Sequence, residues 1–387
     1  MGDRALRLRS ERIVTPSGTI SGEVSIRGGR IEAVATTPGT GGEVIELGRL
    51  WIVPGLIDVH VHGGGGAQCN TSDPDEIAAV ARFHATHGTT GLLATTVAAS
   101  PDELETALTA IARCASDTSG AAVLGAHLEG PFLSPLRPGA MDPSTFIEPD
   151  RLVADGLIAA GGGAMRLMTL APELPGALEL IARLVDAGVV VSIGHSDADY
   201  NEAYAAVRAG ARAATHTFNA MPPFHHREPG ILGAVLDLDE VSCELICDGV
   251  HAVPAALRLV HRAKGATGVR LVTDATGAAG MADGSYRLGA AEIRVSDGCA
   301  TLVKNGAIAG STLTMDRAVS NAVRFLGVTV EEAIAFASAN PARLLGLGDR
   351  KGAISPGMDA DLTVLDDELR ARGTVVAGTW VYGPPPA

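Results

Sequence analysis

The sequence predicts an α/β fold: a (β/α)8 barrel of the TIM type beside a small β-sandwich built from both chain ends. Three observations carry that expectation. Between residues 51 and 347, eight short β-rich runs alternate with amphipathic helical stretches, the rhythm of a parallel barrel. The chain of 387 residues has room for a barrel of about 250 residues and one smaller module. Residues 5–50 and 351–387 read as short strands and turns, and neither end alone has enough strands to enclose a core. A doubly wound sheet is the competing arrangement for the same alternation.

In chain order, residues 5–50 give strands with turns at Pro16-Ser17-Gly18 and Gly28-Gly29. The barrel strands are expected at 52–62, 90–97, 121–130, 165–172, 189–195, 212–217, 242–248 and 269–275. Helical stretches at 74–88, 101–117, 175–187, 199–209, 254–264 and 314–327 fall between or after them. Asp73-Pro74 and Ser100-Pro101 each offer a capping side chain followed by a proline whose missing N–H has no helical partner to lose. Residues 276–312, with turn signals at Asp283-Gly284 and Asp297-Gly298, read as a hairpin inserted on the side of the strand ends. The domains that follow are 1–52 and 349–387 for the sandwich and 53–348 for the barrel.

Composition narrows the function. Apolar residues make up 46% but aromatics only 3%, so the core must be mostly Ala, Val, Leu and Ile. A formal charge of 30 − 44 = −14 disfavours nucleic acid or an anionic membrane as partner and leaves small molecules. The start, MGDRALRLRSERIV, has no signal-peptide core, and no apolar run reaches the length of about 18 residues that a membrane helix needs. A soluble cytoplasmic protein is the expectation. Cys69, Cys114, Cys243, Cys247 and Cys299 are odd in number and form no C-x-x-C pair, which argues against a disulfide framework.

The chemistry starts at Gly55-Leu-Ile-Asp-Val-His-Val-His62, followed by four glycines. A strand repeats every two residues, so His60 and His62 face the same side about 6.5–7 Å apart along the chain. The glycines leave room above the strand end, and a metal site is the natural reading of such a pair. Other predicted strands also finish on polar groups: Glu129 on the third, His195 on the fifth, His216 on the sixth, Asp248 and His251 on the seventh, and Asp274 on the eighth. In a barrel all of these ends meet at one mouth. Imidazole and carboxylate donors suit zinc, iron or manganese, and the lack of thiolates argues against a purely structural zinc. A catalytic metal keeps a position open for water, and a carboxylate such as Asp274 takes the proton. His84, His87 and His261 lie on helical stretches and read as surface or helix-packing residues. His225 and His226 adjoin Arg227, where an anion site and a solvated loop are equally open. His127 fits support behind the ligands as well as plain core packing.

The segments Pro54-Gly55-Leu-Ile-Asp58, His127-Leu-Glu-Gly-Pro-Phe132, Gly194-His195-Ser-Asp197 and Thr215-His216-Thr-Phe-Asn-Ala-Met-Pro222 are joined by five more. These are Arg227-Glu-Pro-Gly230, Asp248-Gly-Val-His251, Thr273-Asp274-Ala275, Ala309-Gly-Ser-Thr-Leu-Thr314 and Gly357-Met-Asp-Ala-Asp-Leu362. Together they resemble the amidohydrolase superfamily and, within it, the N-acetylglucosamine-6-phosphate deacetylase family. The resemblance implies Glu129, His195 and His216 as metal ligands and Asp274 as catalytic acid and base. It implies Asn219, Ala220, Arg227 and His251 as substrate contacts, with Ile308 and Ala309 closing over the sugar. The resemblance also places Ala140 and Met141 against the substrate, where the family often has a histidine in place of Met141; a thioether donates no hydrogen bond. Family members hold one metal or two, and the presence of His60 and His62 favours a second, bridged to the first by Glu129 and reached by Asp274. The implied cofactor is one or two zinc ions, with iron, manganese or cobalt as other divalent options. The implied reaction is hydrolysis of N-acetyl-D-glucosamine 6-phosphate to D-glucosamine 6-phosphate and acetate, by a homodimer.

Two other readings compete. A cyclic amidase or deaminase would handle a neutral heterocycle, for which Arg227 and His251 serve no purpose. Lys264, Lys304 and Lys351 are the only lysines and none ends a predicted strand, so no lysine can be carboxylated to bridge two metals there. A non-catalytic assembly protein on the same barrel would be expected to have lost ligands.

Overall fold

The computed structural model describes residues 6–37, 39–115, 117 and 119–383. Eight parallel strands form the barrel in sequence order: Leu56–Val61, Thr89–Thr96, Ala122–Glu129, Met165–Leu170, Val190–Ile193, Ala213–Ala214, Ser242–Ile246 and Val269–Val272. They carry near-continuous buried runs, as strands covered on both faces must. No ladder joins the first strand to the eighth. Their ends meet instead through a single bridge between Val61 and Ala275 and through Asp58, whose carboxylate accepts from the Thr273 hydroxyl at 2.6 Å. The ring closure rules out the doubly wound sheet.

The first predicted run, 52–62, is two strands rather than one. Trp51–Pro54 belongs to the terminal sheet and Leu56–Val61 to the barrel, with Gly55 at the crossing. A Cβ at Gly55 would lie 2.2 Å from Thr90 Oγ1, so the crossing passes too close to the second strand for any side chain. Residues from both ends build one module here, but as a single hydrogen-bonded sheet. Leu6–Thr15 pairs along one edge with Gly18–Arg27 and along the other with Glu43–Glu46 and then Trp51–Pro54. Leu362–Leu365, Ala371–Val376 and Thr379–Tyr382 extend it beyond Trp51–Pro54. Ile31, on the strand Arg30–Ala35 that pairs with Gly18–Arg27 at one end of the sheet, shares one apolar core with Leu8, Ile13, Ile52 and, towards the other end, Val375, so the sheet curls over on itself.

The helix expected at 254–264 appears at those bounds, and the other predicted helices appear with trimmed ends, among them Pro74–Ala85, capped by Asp73, and Pro101–Cys114, capped by a reciprocal Ser100–Glu103 pair. Helices Arg151–Gly161, Gly230–Asp237, Val330–Ala337 and Ala339–Leu344 lie outside the predicted stretches. One of them opens on Pro229-Gly230, a pair that reads as a breaker. The inserted hairpin is a three-stranded sheet, Gly284–Leu288, Ala291–Ser296 and Cys299–Leu302. Its second turn is Asp297-Gly298 as expected, both residues with positive φ. The first is Gly289-Ala290 rather than Asp283-Gly284; Asp283 instead braces the other turn by accepting the Asp297 N–H at 2.6 Å. The hairpin's apolar core packs against Val97, Ala140 and Met141 and so roofs part of the mouth. Among the described residues no helix is long and apolar enough to cross a membrane.

Candidate active site

Six buried side chains meet at the carboxyl ends of the strands, as two groups of three: His60, His62 and Asp274, and Glu129, His195 and His216. Although His60 and His62 are consecutive on one strand face, their rings tilt so that the two Nε2 atoms stand 3.1 Å apart. Asp274 Oδ1 lies 3.2 Å from His62 Nε2 and 3.5 Å from His60 Nε2. In the other group His195 Nε2 and His216 Nε2 are 3.1 Å apart, and Glu129 Oε1 is 3.1 and 2.9 Å from them. The second oxygen, Glu129 Oε2, is 3.1 Å from His62 Nε2. One carboxylate thus offers an oxygen to each group.

The donors suit divalent metal. Ligands about 2.0 Å from a tetrahedral zinc stand about 3.3 Å from one another, which is close to the spacings here. Three of the imidazoles have their Nδ1 atoms against acceptors: His62 at Thr95 O (3.2 Å), His195 at Arg137 O (3.0 Å) and His60 at Glu244 (3.1 Å). With those protons so placed, the Nε2 lone pairs of all three turn into the groups, where only a cation satisfies them together. Burial pushes the Glu129 carboxyl up, but His60 and His195 outweigh it and hold the group well below its ordinary value. Burial likewise raises Asp274, and His60 and His62 bring it down to about 2. Burial lowers His62, while Asp274 and Glu129 carry it up to about 9. The site as a whole favours positive charge, and two buried triads sharing Glu129 suggest a binuclear centre.

The backbone is bent to build this. His195, His216 and Asp274 have φ of 47°, 26° and 50°, the left-handed region, at the ends of three different strands. Phe218 (82°) and Ala220 (51°) continue the pattern, which is why the sixth strand stops at Ala214 instead of running to 217. Such settings persist where surrounding contacts fix them, and they gather at working sites. Asp274 is held by its N–H donating to His60 O at 2.9 Å and its carbonyl accepting from Ser311 N–H at 2.7 Å.

Beneath the ligands the barrel interior is polar, where aliphatic layers are usual. His127 Nε2 meets Thr169 Oγ1 at 2.7 Å, and Thr169, Thr215 and Ser192 continue as a hydroxyl chain. The His127 ring packs at 4.7 Å against that of His60, and burial above all lowers its pKa to about 3, so it is a neutral support behind the ligand. Glu244 and Arg270, both fully buried, complete this layer, and the sequence reading missed both. Each is a charge inside an otherwise apolar predicted strand, a signal that was available.

His62, Glu129, His195, His216 and Asp274 face one cavity whose walls include Ala140, Met141, Asn219, Ala220, His251 and Ile308. Val97 and Leu288 add an apolar wall that the motifs did not suggest. Ala309 is buried in the hairpin core rather than facing the cavity. His251 Nδ1 is 2.7 Å from Asp248 Oδ2; burial lowers its pKa, but Asp248 raises it more, and the net shift is upward. Arg227 is elsewhere, on an exposed loop beside Asp197 and Pro222, with Nη1 2.8 Å from His226 Nε2. Among the described residues no lysine or arginine lines this cavity, and Arg317 lines the adjoining pocket that shares His251, Ile308 and Gly310.

The glycine run has a different role from the one expected. Gly63 to Gly66 do not line the cavity. A Cβ at Gly63 would lie 2.4 Å from Ala67 O, and one at Gly64 would lie 2.3 Å from Phe83 Cδ1, so close packing of the strand end is what excludes side chains. His84 is fully buried there, 2.9 Å from Gly63 O, with its pKa lowered by burial to about 4. All five cysteines are free thiols.

A family model described as the amidohydrolase family matches residues 51–383, and one described as the allantoinase composite domain matches residues 7–46. The N-acetylglucosamine-6-phosphate deacetylase of Lysinibacillus sphaericus is 38% identical, over 97% of both chains. The N-acetylgalactosamine-6-phosphate deacetylase of Escherichia coli is 39% identical, over 97% of this chain and 98% of its own. A solved mutant of N-acetyl-D-glucosamine-6-phosphate deacetylase from Mycobacterium smegmatis, in complex with N-acetyl-D-glucosamine-6-phosphate, superposes with a TM-score of 0.93. The two chains are 39% identical, and the match covers 98% of this chain and 99% of that one.

Proposed function

This chain belongs to the amidohydrolase family, in its N-acetylglucosamine-6-phosphate deacetylase branch, and from that premise we propose that it hydrolyses N-acetyl-D-glucosamine 6-phosphate to D-glucosamine 6-phosphate and acetate. The observation that carries the reading is the pair of triads sharing Glu129 and opening, with His251, into one cavity. His60, His62 and Asp274 would hold one divalent ion and Glu129, His195 and His216 the other, zinc being the first choice for such donors. When bound, the pair supplies an activated water and polarises the amide carbonyl. Asp274, an ionised carboxylate at the mouth, accepts the water's proton and returns it to the sugar nitrogen as the amide bond breaks.

Asn219, Ala220 and His251 bind the sugar and its phosphate, and Ile308 closes over them. Ala140 and Met141 confine the substrate by shape alone. The phosphate carries more negative charge than one histidine balances, and among the described residues no lysine or arginine lines the cavity itself, Arg317 lying in the adjoining pocket. Arg227 of a second copy supplies the missing cation, which makes a homodimer the working unit. The catalytic domain is taken as residues 53–348, flanked by one unit made of 1–52 and 349–387. The cytoplasm is the location that fits, since a phosphorylated sugar does not leave it by diffusion.

Acetate release from N-acetyl-D-glucosamine 6-phosphate, its galactosamine epimer and the unphosphorylated sugar tests the reading. The first substrate should be the best, and comparable rates on all three would overturn it. Metal content should approach two per chain and fall to near one in His60→Gln/His62→Asn; an intact protein that saturates at one in excess zinc would sink the second site. The charge on His251 also has a pH signature. Its raised pKa keeps it cationic below that value and neutral above it, so KM for the phosphorylated sugar should rise as pH climbs through it. In Asp248→Asn that rise should begin at lower pH, as KM–pH profiles would reveal.

A further inference from the structure

Glu244 and Arg270 occupy paired positions on the seventh and eighth barrel strands, and neither side chain reaches solvent. Burying two charges is costly unless their geometry is good, and here their mutual contact is loose. Arg270 Nη2 stands 3.7 Å from Glu244 Oε1, and that oxygen, Arg270 Nε and Arg270 Nη2 have no hydrogen-bond partner. The other carboxylate oxygen is fully engaged. Glu244 Oε2 is 3.1 Å from His60 Nδ1, and it accepts the backbone N–H of His216 at 3.1 Å. His60 belongs to one triad and His216 to the other.

We propose that Glu244 is a positioning residue that fixes one ligand of each metal triad through a single oxygen, with Arg270 balancing its charge. The inference rests on the two-metal reading above. A neutral His60 that gives its Nδ1 proton to Glu244 has only one tautomer, and its Nε2 lone pair then faces His62 and Asp274. The same oxygen holds the amide of His216, whose φ of 26° needs an outside restraint. A neutral amide would do the first task poorly. Glutamine can turn its NH2 toward Nδ1, leaving the proton on Nε2, where it blocks a cation.

Zinc titration against a chromophoric chelator, on intact protein, Glu244→Gln and Glu244→Gln/Arg270→Met, tests this. The double variant removes both charges, so no lone buried ion remains to unfold the barrel. Two zinc ions should bind the intact chain. In both variants the affinity of the His60 site should fall roughly 10- to 100-fold, with a smaller loss at the Glu129/His195/His216 site. Intact protein that binds one zinc would defeat the two-metal reading. Intact protein and variants that all bind two with equal affinity, whatever their melting temperatures, would defeat the role of Glu244 alone. Nitrogen-15 histidine NMR of the intact metal-free protein, at a pH alkaline enough to leave His60 neutral and assigned with His60→Gln, decides the matter even if neither variant folds. His60 protonated on Nδ1 is the expected tautomer, and protonation on Nε2 overturns the proposal.

Discussion

Replacing Asp274 by asparagine is expected to leave a folded, metal-loaded protein whose turnover has fallen by roughly 10²- to 10⁴-fold, the usual worth of general acid–base assistance. Asparagine keeps the shape and tolerates the left-handed backbone at this position. The contacts that fix the main chain, with His60 O and Ser311 N–H, do not involve the side chain. What disappears is an oxygen able to take a proton and return it. Parallel measurement of kcat, metal content and circular dichroism separates chemistry from folding. Turnover near that of the parent protein would remove Asp274 from the mechanism.

Arg227→Ala should act on the phosphate and on little else. Loss of one partner from a desolvated charge pair costs roughly 2–5 kcal/mol, which is roughly a 30- to 4,000-fold loss in kcat/KM on the phosphorylated sugar. The unphosphorylated sugar should be nearly indifferent to the change. Because Arg227 lies outside the mouth of its own chain, its proposed service to a neighbouring chain can be tested by mixing. Arg227→Ala and Asp274→Asn subunits, each nearly inactive, should regain activity when refolded together, since one site of each mixed pair has both groups intact. Equal losses on both substrates, or no recovery on mixing, would return Arg227 to a structural role on its loop.

Much of this architecture was legible because barrel strands end where their polar residues begin. His60, His62, Glu129, His195, His216 and Asp274 each close an apolar run, and closure of the ring alone brings them together. What stayed hidden depends on contacts between distant segments. Gly55 looked like one residue of a long strand, and only its approach to Thr90 shows why the chain changes sheets there. The sixth strand looked longer because dihedral angles at His216, Phe218 and Ala220 leave no trace in a pattern of apolar residues. Glu244 and Arg270 sat in plain view inside two predicted strands, but their pairing depends on register across the ladder. Arg227 matched a motif, yet the motif carries no information about where its loop lies relative to the cavity.

The shared terminal sheet sets an order for assembly on the ribosome. The strand Trp51–Pro54, which leads straight into the one bearing His60 and His62, pairs with Leu362–Leu365, and Leu362 aligns with Pro54 across 362 − 54 = 308 residues. At about 5–20 residues added per second, that partner emerges roughly 15–60 s later. Until then Trp51–Pro54 presents an unpaired edge, the kind of surface on which nascent chains stick to one another. The first two histidine ligands are thus among the earliest parts of the site to be made, and the strand that leads into them is among the last to gain its full set of partners. Chaperones that shield strand edges are the helpers this chain should need most.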